Sequence, residues 1–287
     1  MIYSIGITLN IYLRLSIFCY ILNLILLFDN LYVIFLLLLF MKVYHIVYEP
    51  NFNSLILHFW TKCNLSCRCC YCQFEKYDFG TIDDPIGKIA NKPPVEPPTR
   101  FLAFEEVMDI IKELEVKVAV FVGTEASLDP ELPRLASALH QKFGCHNFLL
   151  TNGVVLTDME HIDEIIVSIK AISDDLHKDY TGRSNKKVLQ NFVKIYRAGK
   201  KLQAETVLIP DYVDATEVEH IARFVASVDP EITLRVDAYF PVPSCPWRAA
   251  TKEEVEKAAE LARKHVKKVS CLTLDMERIG EKAKQLF

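Results

Sequence analysis

Five cysteines lie within ten residues, from Cys63 to Cys72, directly after an apolar run. No other feature restricts the fold as much. Cysteines this close in sequence do not easily pair with one another, because disulfide geometry is specific. A disulfide framework would also spread its cysteines along the chain. The crowd therefore reads as one loop wrapped around a metal or a cluster, in a reducing compartment. Within TKCNLSCRCCYC, Cys63, Cys67 and Cys70 stand in the spacing CxxxCxxC. Three thiolates from one loop can hold three irons of a [4Fe–4S] cube and leave the fourth open to an outside ligand. Cys72 as third ligand is the alternative register. Cys69 and Cys72 are otherwise spare thiols, ligands of a second metal, or plain loop residues. Cys245 and Cys271 are the partners available elsewhere. A four-cysteine zinc site competes with the cluster, although zinc sites usually draw on two separated pairs.

The loop is entered from residues 54–60, SLILHFW, an apolar run of strand length. Behind it the chain alternates. Strands are expected at 117–122, 147–150, 165–169, 204–209 and within 231–240, with a short one at 269–274. Helices are expected at 104–114, 130–141, 187–198, 216–227 and 252–267, and Asp214 is placed to cap the fourth of these. The stretch 91–100, NKPPVEPPTR, carries too much proline for a helix or an inner strand and reads as loop. Strand–helix alternation of this kind implies parallel strands with crossover helices. The chemistry of such an α/β fold sits at the carboxyl ends of its strands.

The first 40 residues differ in kind. Only Arg14 and Asp29 are charged there. The stretch 22–40 is long enough to span a bilayer, and Asp29 inside it costs roughly 3 kcal/mol. Such a composition also arises when AT-rich, non-coding DNA is translated, and mixed sequence begins abruptly at Met41. The expectation is that Met41 is the start and 41–287 the folded domain. On the other reading the cytoplasmic domain is membrane-anchored through 1–40. The chain has 287 residues and a formal charge of −4, which leaves no electrostatic footprint for nucleic acid.

With its cysteine spacing directly after a first strand, the sequence resembles the radical SAM superfamily across about 54–243. The resemblance implies a partial (β/α)6 barrel of TIM type. It also implies a [4Fe–4S] cluster on Cys63, Cys67 and Cys70 whose open iron takes S-adenosylmethionine (SAM). The aromatic residue the family usually places before the third cysteine is here Cys69. Gly123-Thr124-Glu125-Ala126 stands where the family has a GGEP-like motif, so Gly123 and Glu125 are expected at the SAM ammonium. Thr151-Asn152-Gly153 corresponds to a TNG that lines the cofactor pocket. The segment 168–185 is similar to the glycyl-radical (pyruvate formate-lyase) activating enzymes, whose Asp-x-Lys is here Ser168 and Lys170, expected at the SAM carboxylate or ribose. Arg235, Asp237 and Tyr239 alternate on one face, and Asp237 is a candidate for substrate or SAM contact.

The resemblance further implies an electron donor such as a ferredoxin or flavodoxin. One electron would cleave SAM to methionine and a 5′-deoxyadenosyl radical, which then takes a hydrogen atom from a small-molecule or protein substrate. A non-catalytic iron–sulfur or zinc-binding protein is the alternative.

Overall fold

The computed structural model describes residues 41–90, 92–276 and 280–287. The two readings of segment 1–40 fall outside the described residues. Met41–Phe287 forms one compact unit. Among the described residues no helix is long and apolar enough to cross a membrane.

Among the described residues nine strands make one sheet in the order β8-β7-β6-β5-β4-β3-β2-β1-β9. From β2 to β8 they run parallel and in sequential order: Ser54–Phe59, Val118–Gly123, His146–Thr151, Glu164–Ser168, Lys201–Leu208, Thr233–Ala238 and Val269–Leu272. This is the order of a barrel opened along one side. Each expected strand is present, displaced by a residue or a few at its ends. The crossover helices are α1 (Phe104–Ile110), α2 (Leu132–Phe143), α3 (Asp174–Thr181), α4 (Lys186–Arg197), α5 (Ala215–Val228) and α6 (Lys252–Ala262).

Two strands have no counterpart in the sequence reading. β1, Val43–Glu49, pairs antiparallel with β2. The two-residue β9, Lys284–Gln285, adds to the outer edge of β1. A further difference lies ahead of the proline stretch, where Pro85–Ile89 forms a single helical turn.

The alternation of side chains along each strand separates two faces. Leu55, Leu57 and Phe59 on β2, Ala119 and Phe121 on β3, and Leu234 and Val236 on β7 are fully buried within the hydrophobic core. Phe59 and Phe121 meet edge to face at 6.3 Å, and burying a side chain of this size contributes about 1.5–3 kcal/mol. The opposite face carries His58, Val122, Leu150, Ser168, Glu205, Arg235 and Asp237. Cross-strand register keeps these together: His58 pairs with Val122, Ser168 with Glu205, and Glu205 with Arg235. The second face is therefore the polar lumen.

Helix ends follow local chemistry. Asp214 caps α5 by accepting from the amides of Thr216 and Glu217. Thr251 and Glu254 form a reciprocal capping box on α6. Gly182 ends α3 in the left-handed conformation.

Candidate active site

The strand ends meet beneath the cysteine loop. Gly123 closes β3 at φ +123, and a Cβ there would lie 2.1 Å from the carbonyl oxygen of Phe59. Only glycine lets β2 and β3 approach so closely at the point where the loop begins. The next residue fastens that start: the Thr61 amide donates to Thr124 Oγ1 at 2.9 Å, Thr124 Oγ1 donates to the Thr61 carbonyl at 2.8 Å, and Thr61 Oγ1 donates to the Glu125 carbonyl at 2.7 Å. Farther along, the amides of Ser66 and Arg68 donate to the carbonyls of Thr181 and Tyr180, both at 2.9 Å, at the end of α3. The Arg68 guanidinium pairs with Asp179 at 2.7 Å.

Glu125 is 3% exposed. One carboxylate oxygen accepts from Ser127 Oγ and from Thr151 Oγ1, each at 2.6 Å, and the other accepts from the Asn152 amide at 2.8 Å. The carboxylate thus ties the end of β3 to the end of β4. Asn152 passes the connection on, its Nδ2 donating to Asn64 Oδ1 at 2.7 Å and approaching Cys63 Sγ at 3.7 Å. Gly153 then turns at φ +74, where a Cβ would meet Val167 at 2.8 Å. The three strand-end motifs form one hydrogen-bonded frame around Cys63.

Cys63, Cys67 and Cys70 are free, half-buried thiols on one loop, and each raises the charge cost of ionising its neighbours. Burial pushes Cys67 up to about 11, while the Lys170 ammonium pulls it down. A hydrogen bond with Cys72 pulls Cys70 down to about 6 against the effect of burial, and Lys170 adds to the pull. Cys70 and Cys72 are therefore side by side. Among the described residues no three His, Cys, Asp or Glu side chains converge on a position for one metal ion. The Asn64 Nδ2, inside the loop, is buried without a partner.

Cys69 takes its partner from outside the crowd, from the two distant cysteines the sequence offers. It is bonded to Cys245, 176 residues on, with Cα atoms 5.9 Å apart. The crowded cysteines are poor partners for one another, but the fold brings a distant one to bonding range.

Across the lumen, Lys170 Nζ donates to Ser168 Oγ at 2.6 Å, and Ser168 Oγ donates to Glu205 at 3.0 Å. Glu205 is paired with Arg235, whose Nε also donates to Asp237 at 2.9 Å. Burial, then the charge of Glu205, pushes Asp237 up to about 6. Lys170 thus links the cysteine loop to a row of charges spanning β5 to β7. Tyr71 is 44% exposed although its ring meets Phe79 at 5.2 Å and Phe240 at 6.0 Å. Its hydroxyl is held high by the charge of Cys72 and by burial, and Cys70, Glu205 and Tyr44 add to the effect.

The sequence profile of the radical SAM superfamily matches residues 57–225, more than half of the chain. The chain belongs to the radical SAM superfamily. A protein of Methanocaldococcus jannaschii, named provisionally as a glycyl-radical enzyme activating enzyme, is 28% identical over 75% of this chain and 79% of its own length. An S-adenosylmethionine-dependent nucleotide dehydratase of Flammeovirga pacifica is 24% identical over 62% of this chain and 60% of its own. Two solved structures share the fold. Streptococcus suis SuiB bound to S-adenosylmethionine has a TM-score of 0.54 at 12% identity, over 74% of this chain and 48% of SuiB. A radical SAM methyltransferase from Sphaerobacter thermophilus has a TM-score of 0.54 at 14% identity, over 80% of this chain and 69% of that one.

The protein is accordingly a radical SAM enzyme with an incomplete α/β barrel, in a family that works with SAM and an iron–sulfur cluster. Cys63, Cys67 and Cys70 lie on one loop, which Asn152 meets at Asn64 and Cys63; Glu125 and Thr151 hold Asn152 from the ends of β3 and β4, Ser168 and Lys170 stand at the end of β5, and Asp237 is near the end of β7. Sequence reasoning did not single out Asn64 or Glu205. For Glu205 a signal existed, since it is the one acid within the strand KLQAETVL, on the lumen side of its alternation. Asn64 had none, because its role depends on meeting Asn152.

Proposed function

We propose that Cys63, Cys67 and Cys70 hold a [4Fe–4S] cluster, and that SAM lies against it between Gly123–Glu125, Thr151–Asn152 and Ser168–Lys170. The observation that carries this reading is the frame Glu125–Asn152–Asn64, which makes one rim of the ends of β3 and β4 and the cysteine loop. Rigidity there holds a reactive group in one orientation. The donor set suits the group in its chemistry: three free thiols lie on one loop, and the partnerless Asn64 amide nitrogen supplies a donor for a sulfur-rich group. The cluster and SAM together supply the one-electron cleavage that yields a 5′-deoxyadenosyl radical.

The chain's own residues bind, orient and shield. Lys170 offsets thiolate charge at Cys67 and Cys70 and is positioned for a carboxylate of SAM. Tyr71, Phe79 and Phe240 restrict water at the mouth. The Glu205–Arg235–Asp237 row offers polar contacts to SAM or to a substrate in the lumen. The electron comes from a ferredoxin or flavodoxin. The relative from M. jannaschii favours a protein substrate that receives a glycyl radical; a small molecule is the other class.

The test is anaerobic reconstitution, reduction, and assay of 5′-deoxyadenosine. Wild type and Cys72→Ala are expected to produce it, and Cys63→Ala, Cys67→Ala and Cys70→Ala are not. Zinc without iron, and no cleavage, would return the chain to a non-catalytic role. Activity in Cys70→Ala but not in Cys72→Ala would move the third ligand to Cys72.

A further inference from the structure

We infer that the Cys69–Cys245 pair is a redox-operated clamp joining the cysteine loop to the segment that follows β7. Cys69 precedes Cys70 and is buried, whereas Cys245 is half-exposed. Their Cα separation of 5.9 Å is within the range a disulfide spans without backbone movement.

The bond joins two segments that also meet elsewhere, where the Tyr71 ring lies 6.0 Å from Phe240 and Arg68 lies against Trp247. Trp247, two residues beyond Cys245, stacks on Tyr212 at 4.2 Å with 27° between the rings. Arg68, directly before Cys69, lies 5.3 Å from the Trp247 ring. Within its own segment Cys245 is held by weaker links: its amide donates to the Val242 carbonyl at 3.3 Å, and the Ala250 amide donates to the Tyr239 carbonyl at 2.9 Å. With the bond closed, this segment is covalently fixed to the cysteine loop. With it open, only non-covalent links remain: the Tyr71–Phe240 and Arg68–Trp247 contacts, the Tyr212–Trp247 stack and the backbone hydrogen bonds.

The exposure difference sets the direction of opening. A thiolate of an external dithiol attacks Cys245 Sγ, the sulfur of the more exposed residue. The S–S bond breaks, and Cys69 leaves as a thiolate and takes a proton. The second thiol of the dithiol then attacks the mixed disulfide and releases Cys245. Two electrons pass from the dithiol, which becomes a disulfide, to the protein pair. A low-molecular-weight disulfide closes the clamp by the reverse exchange.

The clamp also accounts for a surplus thiol. Closed, it removes Cys69 from the sulfurs that can reach iron and leaves the CxxxCxxC set intact. Open, it frees a thiol next to Cys70 and loosens the segment bordering the lumen beyond β7.

The experiment uses the full chain without metal, so its outcome is separate from that of the cluster assignment. The protein is equilibrated with oxidised glutathione or with dithiothreitol, its free thiols are blocked in denaturant, and it is digested without reductant. Fragmentation is expected to assign a Cys69–Cys245 cross-link in the oxidised sample and its loss in the reduced one. Amide exchange at 241–250 is expected to be at least about tenfold faster after reduction, since the cross-link restricts local opening of the segment it ties down. Cys245→Ser is expected to exchange at the reduced rate under both conditions. Absence of the cross-link from the oxidised protein, or equal exchange in the two wild-type states, overturns the proposal, and the wild-type comparison decides it even if the variant fails to fold.

Discussion

Replacing Glu125 by Gln changes one oxygen to an NH2 and nothing else in shape. The carboxylate accepts from Ser127 and Thr151 through one oxygen and from the Asn152 amide through the other. If the new NH2 faces Asn152, two donors confront each other. A charge-assisted bond worth about 1.5–3 kcal/mol is lost, and a buried N–H left without an acceptor adds about 1–3 kcal/mol. If the NH2 faces the two hydroxyls, these can rotate to accept, and the charge assistance and the long bond from the Ser127 amide at 3.3 Å are lost. The cheaper orientation sets a loss of about 2 kcal/mol. For a domain of this size that lowers the melting temperature by about 4–8 °C. The assays are denaturant unfolding under anaerobic conditions, iron bound per chain, and 5′-deoxyadenosine formation at varied SAM. Stability and iron content should fall together, because Glu125 supports the Asn152 that holds the cysteine loop. A variant as stable as wild type to within about 0.5 kcal/mol, with the KM for SAM raised tenfold, would refute the reasoning. Glu125 would then be a SAM contact and not a staple between strands.

Two further outcomes follow from the geometry. Gly123→Ala places a Cβ 2.1 Å from the Phe59 carbonyl oxygen, at φ +123. The strand pair must part at the mouth of the cysteine loop, so a loss of about 3 kcal/mol or more is expected by denaturant unfolding, with iron binding falling in parallel; an unchanged denaturation midpoint would contradict it. His45 is buried, and burial, then the neighbouring His58, brings it down to about 4. The unfolded chain takes up this proton near pH 6.5 and the folded one only near 4, so the contribution is complete above 6.5 and is lost as pH falls toward 4. The full effect is about 3 kcal/mol, and His45→Gln should flatten the acid limb of stability relative to wild type between these values, whereas an equal acid limb in both proteins would count against it.

Legibility differed from element to element. The parallel strands were readable because each is a short apolar run between turn or helix signals, and a lumen strand such as β7 shows its two faces as alternation. The helix start at Asp214 was readable because a cap is a local interaction. β1 was not, since VYHIVYE has strand composition but nothing in it announces an antiparallel partner outside the barrel order. β9 has two polar residues and exists only because the edge of β1 offers unpaired backbone groups. The last helix stops at Ala262, short of the expected 267, because the chain turns there to bring Val269–Leu272 beside β7.

Glu125 shows where sequence reading of the site ends. An acid two residues after a strand-end glycine was visible, and so was the TNG at the next strand end. That the acid binds the Thr and Asn of that TNG required both strands to lie side by side. Glu205 remained one polar residue in a strand until β5 and β7 set Ser168 and Arg235 on either side of it.

What the sequence determined by itself is the spacing of Cys63, Cys67 and Cys70, the strand that delivers them, and the order of elements behind. These depend on neighbours within a few residues, or on a repeating pattern that any local segment carries. What the tertiary structure decided is which of five crowded thiols have partners. Cys69 and Cys245 are 176 residues apart in sequence, and Cys70 rests beside Cys72. Loop closure over such a distance leaves no local trace, because the energy that brings the two ends together resides in the barrel and not in either segment.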